Sequence, residues 1–398
     1  MDVLVGTYEE FVLGLKLQKQ DEKYKLSQTF SDHGQCGSVR CIAVSGKFVA
    51  CGSSDETIKV YDLQKRIDFG NLIKHNGTVT CVDGFKSENL LSGSEDGTIC
   101  IWRTRGWECD RTLVNAHKGG VTSLSIHPSG KLALSVGKDK SLRTWNLIKA
   151  RTAYVKNLHA VGDLVRWSDE GTRYLVVIDS TLTVYSTESA DVVYVVKTKG
   201  RIHSAVFVQE DILAIGSESP NVELHNLRTG SLLVSFEAHE KRVKALAYAA
   251  AEGETFLCTA SSDGFVKVWK LQAEHLSEKP GMVCQYNIGC RVTCMAIWKG
   301  SNKPSVEEDK KKIDIEEEKE ENEEFEEEEG NKFEQEEIII APPKRKLKEE
   351  DVRQGKRLKK KKKVGDWTIL QEESKMKEPK KKKVRSKSSK ISFENLGK

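Results

Sequence analysis

Short apolar stretches alternate with turns of small residues along the first 300 positions, and the arrangement repeats. Each unit has an apolar stretch, a turn containing Asp, and a second stretch that ends in an aromatic residue, as in LSGSEDGTICIWRT. Short apolar runs bounded by turn residues indicate β-strands. The strand-ending positions are Tyr61, Trp102, Trp145, Tyr185, His225 and Trp269. Successive positions are 40 to 44 residues apart, so one structural unit of that length recurs.

This period predicts the fold. A repeat of roughly 40–45 residues is typical of a WD40 β-propeller, whose blades are four-stranded sheets. Residues 291–298 resemble an inner strand without successors, and three N-terminal stretches (VLVGTY, EFVLGLKL and KYKLSQTF) lack an inner strand. Pairing the two chain ends removes exposed sheet edges. We therefore predict an all-β, seven-bladed WD40 propeller over residues 1–300, closed by the N-terminal strands.

Three copies of the unit keep four residues in one register. A hydroxyl residue precedes Asp by four positions, and Trp follows that Asp by six. The sets are His75, Ser92, Asp96 and Trp102; His117, Ser135, Asp139 and Trp145; and His239, Thr259, Asp263 and Trp269. Ser, His and Asp also form nucleophilic triads, but three copies would mean three active sites. A hydrogen-bonded network that fixes the turn of each blade explains the repetition better, so these tetrads are predicted to be structural.

The other copies depart from the tetrad. The first has Cys51 in the hydroxyl position. The fourth keeps Asp179 and Tyr185 but has Leu175 in the hydroxyl position. In the fifth, the hydroxyl, Asp and Trp positions hold Ile215, Ser219 and His225.

The inner strands carry a V-x-x-φ-x-φ pattern, in which one step spans three residues instead of two. The extra residue predicts a β-bulge, which re-aims side chains at a rim. Basic residues at or near these positions are Arg40, Lys138, Arg201, His203, Arg242, Lys244 and Arg291. We predict that they form a partner-binding rim around the central channel. RNA and an acidic protein segment are both open as ligands, and a solvated rim without a ligand is the alternative.

Charge divides the chain more sharply than its net charge of +4 indicates. Residues 301–398 hold 28 of the 64 basic and 26 of the 60 acidic residues, with few apolar ones. The segment cannot bury enough apolar surface to fold, so we expect disorder. We predict an acidic segment over 301–340, because residues 307–337 carry a net charge of −13, and a Lys-rich tail over 341–398. Blocks of like charge are typical of interaction tails.

The Lys-rich tail contains three clusters suited to nuclear import and nucleolar retention through phosphate contacts. Their candidate residues are Lys344, Arg345, Lys346, Lys359, Lys360, Lys361, Lys380, Lys381, Lys382 and Lys383. They predict localisation to the nucleus and nucleolus, and contact with RNA through the tail. A solubilising tail without an address is the alternative.

Several protein classes are not indicated. The chain has no run of 18 apolar residues, and its N-terminus lacks the features of a signal peptide. The ten Cys lie along apolar stretches without a C-x-x-C pair, which favours buried free thiols in a reducing compartment. There is no glycine-rich phosphate loop or metal-ligand cluster. We expect no enzyme activity, no cofactor and no membrane contact.

The segment HKGGVTSLSIHPSGKLALSVGKDKSLRTWNL, together with GSSDETIKVYDLQKR, GSEDGTICIW and ASSDGFVKVWKL, resembles the p21-activated protein kinase-interacting protein family, metazoan relatives of a yeast ribosome-assembly factor. The resemblance covers residues 1–300; the long acidic block departs from it. It implies a non-enzymatic scaffold in nucleolar assembly of the large 60S ribosomal subunit and in pre-rRNA processing. It also implies binding and negative regulation of p21-activated kinase.

Two functions therefore remain open. One is a scaffold bound to ribosome-assembly proteins and pre-60S particles, acting as a monomer within a larger complex. The other is a signalling adaptor that inhibits the kinase without a ribosomal role. The import-like clusters favour the first, because a purely cytoplasmic kinase regulator has little use for them.

Overall fold

The computed structural model describes residues 1–20, 23–251, 253–272 and 276–300. These residues form 28 strands in seven antiparallel sheets of four strands each. The seven-bladed β-propeller predicted from the repeat is confirmed. The predicted acidic segment, the Lys-rich tail and the localisation clusters lie outside the described residues.

Blades 1 to 6 follow one another along the chain, each from its inner to its outer strand. Blade 1 has β4 (Val39–Ser45), β5 (Phe48–Ser53), β6 (Thr57–Asp62) and β7 (Ile67–Ile73). Blade 2 has β8 (Val79–Phe85), β9 (Asn89–Ser94), β10 (Ile99–Arg103) and β11 (Glu108–Leu113). Blade 3 has β12 (Val121–Ile126), β13 (Leu132–Gly137), β14 (Ser141–Asn146) and β15 (Arg151–Asn157).

The second half repeats this order. Blade 4 has β16 (Leu164–Trp167), β17 (Arg173–Ile178), β18 (Thr181–Ser186) and β19 (Val192–Lys197). Blade 5 has β20 (Ile202–Gln209), β21 (Ile212–Ser217), β22 (Asn221–Asn226) and β23 (Ser231–Glu237). Blade 6 has β24 (Val243–Ala251), β25 (Glu254–Ser261), β26 (Phe265–Leu271) and β27 (Gly281–Asn287).

Blade 7 joins the two ends of the propeller. Its inner strand is β28 (Val292–Trp298), followed by β1 (Asp2–Thr7), β2 (Val12–Gln20) and β3 (Lys23–Asp32). In the β28–β1 pair, Val5 faces Met295 and Val3 faces Ile297. Every residue of β1 is buried. The N-terminal strand is therefore part of the core, as the closure prediction requires.

The core lies between blades rather than within one layer. Seven clusters of buried apolar side chains each combine residues of two neighbouring blades. Leu4 and Val12 of blade 7, for example, pack with Val39 and Val49 of blade 1. Burial of apolar area on both faces of every sheet is the main favourable term in such an arrangement. Because each blade is needed by both neighbours, the ring is stable only when it is closed.

Burial follows the order of strands in each blade. Second strands such as β5 and β13 are almost wholly buried, whereas outer strands such as β7 and β19 expose most of their residues. Gly6 permits close approach of two blades, because a Cβ there would lie 2.5 Å from Val39 Cγ1. The inner strands line a central channel of about 750 Å³.

Candidate functional site

The four side chains of each tetrad form one hydrogen-bonded chain. In blade 3, Trp145 Nε1 donates to Ser135 Oγ at 2.8 Å, and Ser135 Oγ lies 2.7 Å from His117 Nε2. His117 Nδ1 lies 2.8 Å from an Asp139 carboxylate oxygen. A neutral histidine with its proton on Nδ1 satisfies both contacts, because Ser135 then donates to Nε2.

Blades 2 and 6 repeat this geometry. Ser92 Oγ lies 2.7 Å from His75 Nε2 and accepts from Trp102 Nε1 at 2.8 Å. The matching distances at Thr259 Oγ1 are 2.8 Å to His239 and 3.0 Å to Trp269. All three hydroxyl residues have no exposed surface. A substrate cannot reach a hydroxyl in that position, and the geometry supports the structural interpretation over a catalytic one.

The carboxylate at the end of each chain fixes the turn. Asp96 accepts hydrogen bonds from the backbone N–H groups of Asn76 and Thr98, and from the Thr98 hydroxyl at 2.7 Å. Ser141 makes the corresponding hydroxyl contact to Asp139 in blade 3. Sequence reasoning missed these two hydroxyl residues, although both stand two positions after the Asp and mark an Asx turn.

Burial sets the charge state of the tetrads. It lowers the pKa of His75, His117 and His239, although the neighbouring carboxylates act in the opposite direction. Burial alone would raise the pKa of Asp139, but hydrogen bonds from His117 and Ser141 lower it to about 2. Each tetrad therefore holds a neutral imidazole against a carboxylate at neutral pH.

Blade 1 replaces the tetrad with an ionic network. Tyr61 Oη donates to the Asp32 carboxylate of blade 7 at 2.6 Å. Buried Lys59 bridges Asp32 at 3.2 Å and Asp68 at 2.9 Å. Gln35 occupies the position of the tetrad histidine, and its side-chain nitrogen and oxygen are buried without a hydrogen-bond partner among the described residues. This blade thus links its third strand to the preceding blade by charge.

In blade 4 the prediction for the hydroxyl position is wrong by one residue. Strand pairing places Val176 opposite Thr183, as Ser135 lies opposite Arg143, so Val176 and not Leu175 takes that place. The turn between β17 and β18 is one residue shorter than its counterpart in blade 3, and Asp179 itself adopts the left-handed conformation (φ 53°). The spacing of an intact copy, counted back from Tyr185, therefore leads to Leu175 instead of Val176.

Blade 5 also lacks a tetrad. His225 stands where Trp would be, and its Nε2 lies 3.1 Å from Glu223 while Tyr194 Oη of blade 4 lies 3.0 Å from its Nδ1. As in blade 1, the contact that replaces the tetrad reaches into the neighbouring blade.

Six inner strands have a register shift near their first residues, which is the predicted bulge. The extra residues are Arg40, Thr80, Thr122, His203, Lys244 and Thr293. The β16–β17 pair in blade 4 has no such shift. All six side chains line the central channel.

The bulge residues fall into two kinds. The three threonines donate their hydroxyls to the backbone of the next blade, as Thr80 does to the Val121 carbonyl at 2.7 Å and Thr293 to that of Val39 at 2.7 Å. Thr122 does the same toward the Gly162 carbonyl. The basic residues at the other three bulges make no such bond within the described part of the chain. Threonine at this position joins blades, whereas a basic residue leaves a charged or polar group facing the channel.

The structure brings six of the seven predicted rim residues together. We call them the basic mouth: Arg40 of blade 1, Arg201 and His203 of blade 5, Arg242 and Lys244 of blade 6, and Arg291 of blade 7. Arg40, His203 and Lys244 line the channel. Arg242 and Arg291 line an adjoining groove with Glu218.

The electrostatics reflect this convergence. Burial lowers the pKa of half-buried Lys244, and the charges of Arg242, Arg201, Arg291 and Arg40 lower it further. Burial and the charges of Lys244 and Arg242 lower the pKa of His203 to about 4. Like charges held this close disfavour each other unless an anion lies between them.

Lys138 is not part of the basic mouth. Its Nζ forms an exposed ion pair with Glu95 at 2.9 Å. Arg201 pairs with Asp163 at 2.6 Å, and the Arg291 guanidinium lies over the Tyr8 ring at 5.5 Å. Among the described residues, Arg40 and Lys244 form no ion pair with a carboxylate. The Lys138–Glu95 and Arg201–Asp163 ion pairs each join two neighbouring blades, whereas Arg291 and Tyr8 both belong to blade 7.

The described residues contain no group of three or more His, Cys, Asp or Glu side chains that could hold a metal ion. No helix in that part of the chain is long and apolar enough to cross a membrane. All ten cysteines are free; five are buried and Cys36 is exposed. Burial raises the pKa of thiols such as Cys81, to about 12, which leaves them protonated.

The WD40 family (WD domain, G-beta repeat) matches residues 24–62, 69–103, 107–146 and 230–270. Each match begins near the outer strand of one blade and ends near the third strand of the next. Most of blades 4 and 5 is unmatched; both lack a tetrad, although blade 1, which also lacks one, is matched.

Relatives match the chain over most of its length. A Xenopus laevis protein named "p21-activated protein kinase-interacting protein 1-like" is 42% identical over 310 residues, covering 78% of this chain and 84% of its own. The chain belongs to the p21-activated protein kinase-interacting protein family. The Homo sapiens member is 35% identical, covering 75% of this chain and 77% of its own. A Saccharomyces cerevisiae relative, "Protein MAK11", is 29% identical, covering 74% and 82%.

Proposed function

We propose that the chain is a non-enzymatic scaffold in assembly of the large ribosomal subunit in the nucleolus, including pre-rRNA processing, and that it also binds and restrains a p21-activated kinase. The observation that carries the proposal is the basic mouth, where cations of four blades converge and, among the described residues, only Arg201 is paired with a carboxylate. The mouth is a surface suited to docking, whereas the tetrad hydroxyls of Ser92, Ser135 and Thr259 are buried out of reach of a substrate.

The two parts of the proposal have different support. The kinase part is supported by the names of the relatives, one of which, in Schizosaccharomyces pombe, is called "Shk1 kinase-binding protein 15". The ribosomal part is supported by the family resemblance set out above and by the Lys clusters between residues 344 and 383. Nuclear and nucleolar localisation and contact with RNA belong to that part.

Sedimentation of a tagged chain tests the ribosomal part. We expect the full chain to co-sediment with large-subunit precursors, and Arg40→Glu/Arg291→Glu to shift at least half of it to the free fraction. Lys149→Glu is the matched control, because Lys149 is exposed in the turn after β14, away from the mouth. A chain that migrates freely, both intact and without residues 301–398, while still binding a p21-activated kinase would support the signalling adaptor instead.

A further inference from the structure

The basic mouth contains a pocket below its rim. Arg40, His203 and Lys244 stand at bulges on the channel wall, whereas Arg242 and Arg291 line the groove above. The mouth is thus a funnel, with exposed Arg291 and partly buried Arg242 in the groove and the half-buried ammonium of Lys244 and imidazole of His203 in the channel. A ligand that contacts both the groove arginines and the channel residues must present a narrow anionic group within a larger negative surface.

Two groups inside the funnel lack partners within the described residues. His203 Nε2 is buried and has no hydrogen bond, and Lys244 has no carboxylate within ion-pair distance. An unsatisfied buried polar atom costs about 1–3 kcal/mol, which an incoming acceptor would relieve. Neutral His203 donates one hydrogen bond when its proton is on Nε2 and Lys244 donates up to three, so together they suit an oxygen anion.

The arrangement of charge favours a peptide over nucleic acid. A polynucleotide backbone needs a continuous basic track, because its phosphates are evenly spaced. Here acidic residues interrupt the rim: Asp163 pairs with Arg201, Glu218 lines the groove, and Glu9 accepts the Arg291 backbone N–H. The cations converge on one point instead. Arg291 covers one face of the nearby Tyr8 ring, which leaves a single face for base stacking.

We propose that the basic mouth binds an acidic segment of a protein partner, with one Asp or Glu carboxylate inserted into the channel between Lys244 and His203 and neighbouring acidic residues paired with the rim arginines. Arginine forks bind carboxylates with two parallel hydrogen bonds, which would fix the orientation of the neighbouring acidic residues on the rim. This inference rests on the proposed docking role of the mouth and names the chemistry of its partner.

Photo-crosslinking of the full chain tests the inference. The probe is a hexaglutamate peptide carrying a benzophenone, and cross-linked residues are mapped by mass spectrometry. We expect cross-links at the starts of β4, β20 and β24. Lys244→Gln/His203→Gln should lower their yield about tenfold at subsaturating peptide, the loss expected for a charge-assisted hydrogen bond. Cross-links to residues 341–398 give an internal reference, and Lys149→Gln is the matched control.

Each other outcome is decisive. A yield at the mouth that stays within twofold in the double variant overturns the inference, as does a wild-type chain with no cross-links there. Displacement of the peptide from the mouth by a twelve-nucleotide oligouridine, with RNA cross-links at the same strands, would assign the site to nucleic acid instead. If the double variant does not fold, Arg40→Gln/Arg291→Gln is used, since these two side chains are exposed. Loss of sedimentation with precursors alone would contradict the ribosomal role but not the peptide site.

Discussion

Blades 2, 3 and 6 differ from blades 1, 4 and 5 in the contacts made at the histidine, hydroxyl and aromatic positions. The turn itself is less different, since Asp55 of blade 1 accepts hydrogen bonds from two backbone N–H groups and the Thr57 hydroxyl, as Asp96 does from its own neighbours. The first group uses a buried chain of hydrogen bonds that runs from Trp through a neutral imidazole to the Asp carboxylate, closed within one blade. Blades 1 and 5 use contacts that cross to a neighbour, as Tyr61 does to Asp32 and Tyr194 does to His225. Blade 4 stacks Tyr174 on Tyr185 with ring centroids 5.1 Å apart. A propeller thus tolerates loss of the internal network where an interblade contact or packing replaces it.

The residues at the channel bulges divide the blades differently. Blades 2, 3 and 7 place threonine at the bulge and use it to join blades, whereas blades 1, 5 and 6 place a basic residue there. Because blade 6 has a complete tetrad and also carries Lys244, a basic mouth does not require a degenerate blade. The presence of a tetrad and the type of residue at the channel bulge therefore vary independently from blade to blade.

Blade 7 should be more sensitive to substitution than either group of blades, because its sheet is assembled from strands at both ends of the propeller. Leu4→Asp places an unpaired carboxylate at a position with no exposed surface. We expect a loss of more than about 4 kcal/mol, enough to prevent folding. Lys16→Glu, at an exposed site in β2, is the control. A soluble Leu4→Asp chain with a wild-type melting temperature would mean that the ring does not depend on closure.

Ser135→Ala and Cys51→Ala compare the hydroxyl position in an intact and a degenerate blade. Loss of Ser135 Oγ leaves Trp145 Nε1 and His117 Nε2 unpartnered, and we expect destabilisation of about 3 kcal/mol. Cys51 is also fully buried but makes no side-chain hydrogen bond within the described residues, so its truncation should cost about 1 kcal/mol. Urea titration measures both. Equal losses would show that the tetrad adds nothing beyond packing.

The intact blades should also make stability depend on pH. The pKa values of His75, His117 and His239 are lower in the folded chain than their usual 6.5, so the unfolded chain binds more protons below pH 6.5. Stability is therefore complete above pH 6.5 and falls as the pH drops toward the folded pKa values. Each histidine contributes at most about 1.4 kcal/mol per pH unit in that window.

Melting temperatures between pH 7.5 and 5.5 check this dependence. Asp139 stays ionised throughout, because its pKa is about 2. His117→Gln should remove about one quarter of the slope, because His203, whose pKa is lowered to about 4, contributes together with the three tetrad histidines. His159→Gln, at an exposed turn position, is the control. A slope that His117→Gln does not reduce would show that its imidazole does not remain neutral in the folded chain.

The repeat period predicted the fold and the members of each intact tetrad, because spacing along a chain fixes contacts within a blade. It could not reveal that Val176 occupies the hydroxyl position of blade 4. The turn there is one residue shorter, which shifts the second strand by one residue relative to Tyr185. The rim was predicted as a set of basic residues, but Lys138 lies apart from the others. Pairs such as Arg201 with Asp163 join two blades and are set by the closed ring rather than by local spacing.

Asp32→Asn tests the network that replaces the tetrad in blade 1. Burial alone would raise the pKa of Asp32, but hydrogen bonds from Tyr61 and Lys59 lower it below its usual value. The variant keeps an acceptor for Tyr61 but removes one of the two carboxylates that bind Lys59. We expect a loss of about 1 kcal/mol, because Asp32 is partly exposed and Asp68 remains. The effect should vanish below the folded pKa of Asp32, where the wild-type carboxyl is also neutral. Asp191→Asn, at an exposed site, is the control in urea titrations. A loss as large as that of Ser135→Ala would mean that blade 1 depends on its ionic network as strongly as blade 3 depends on its tetrad.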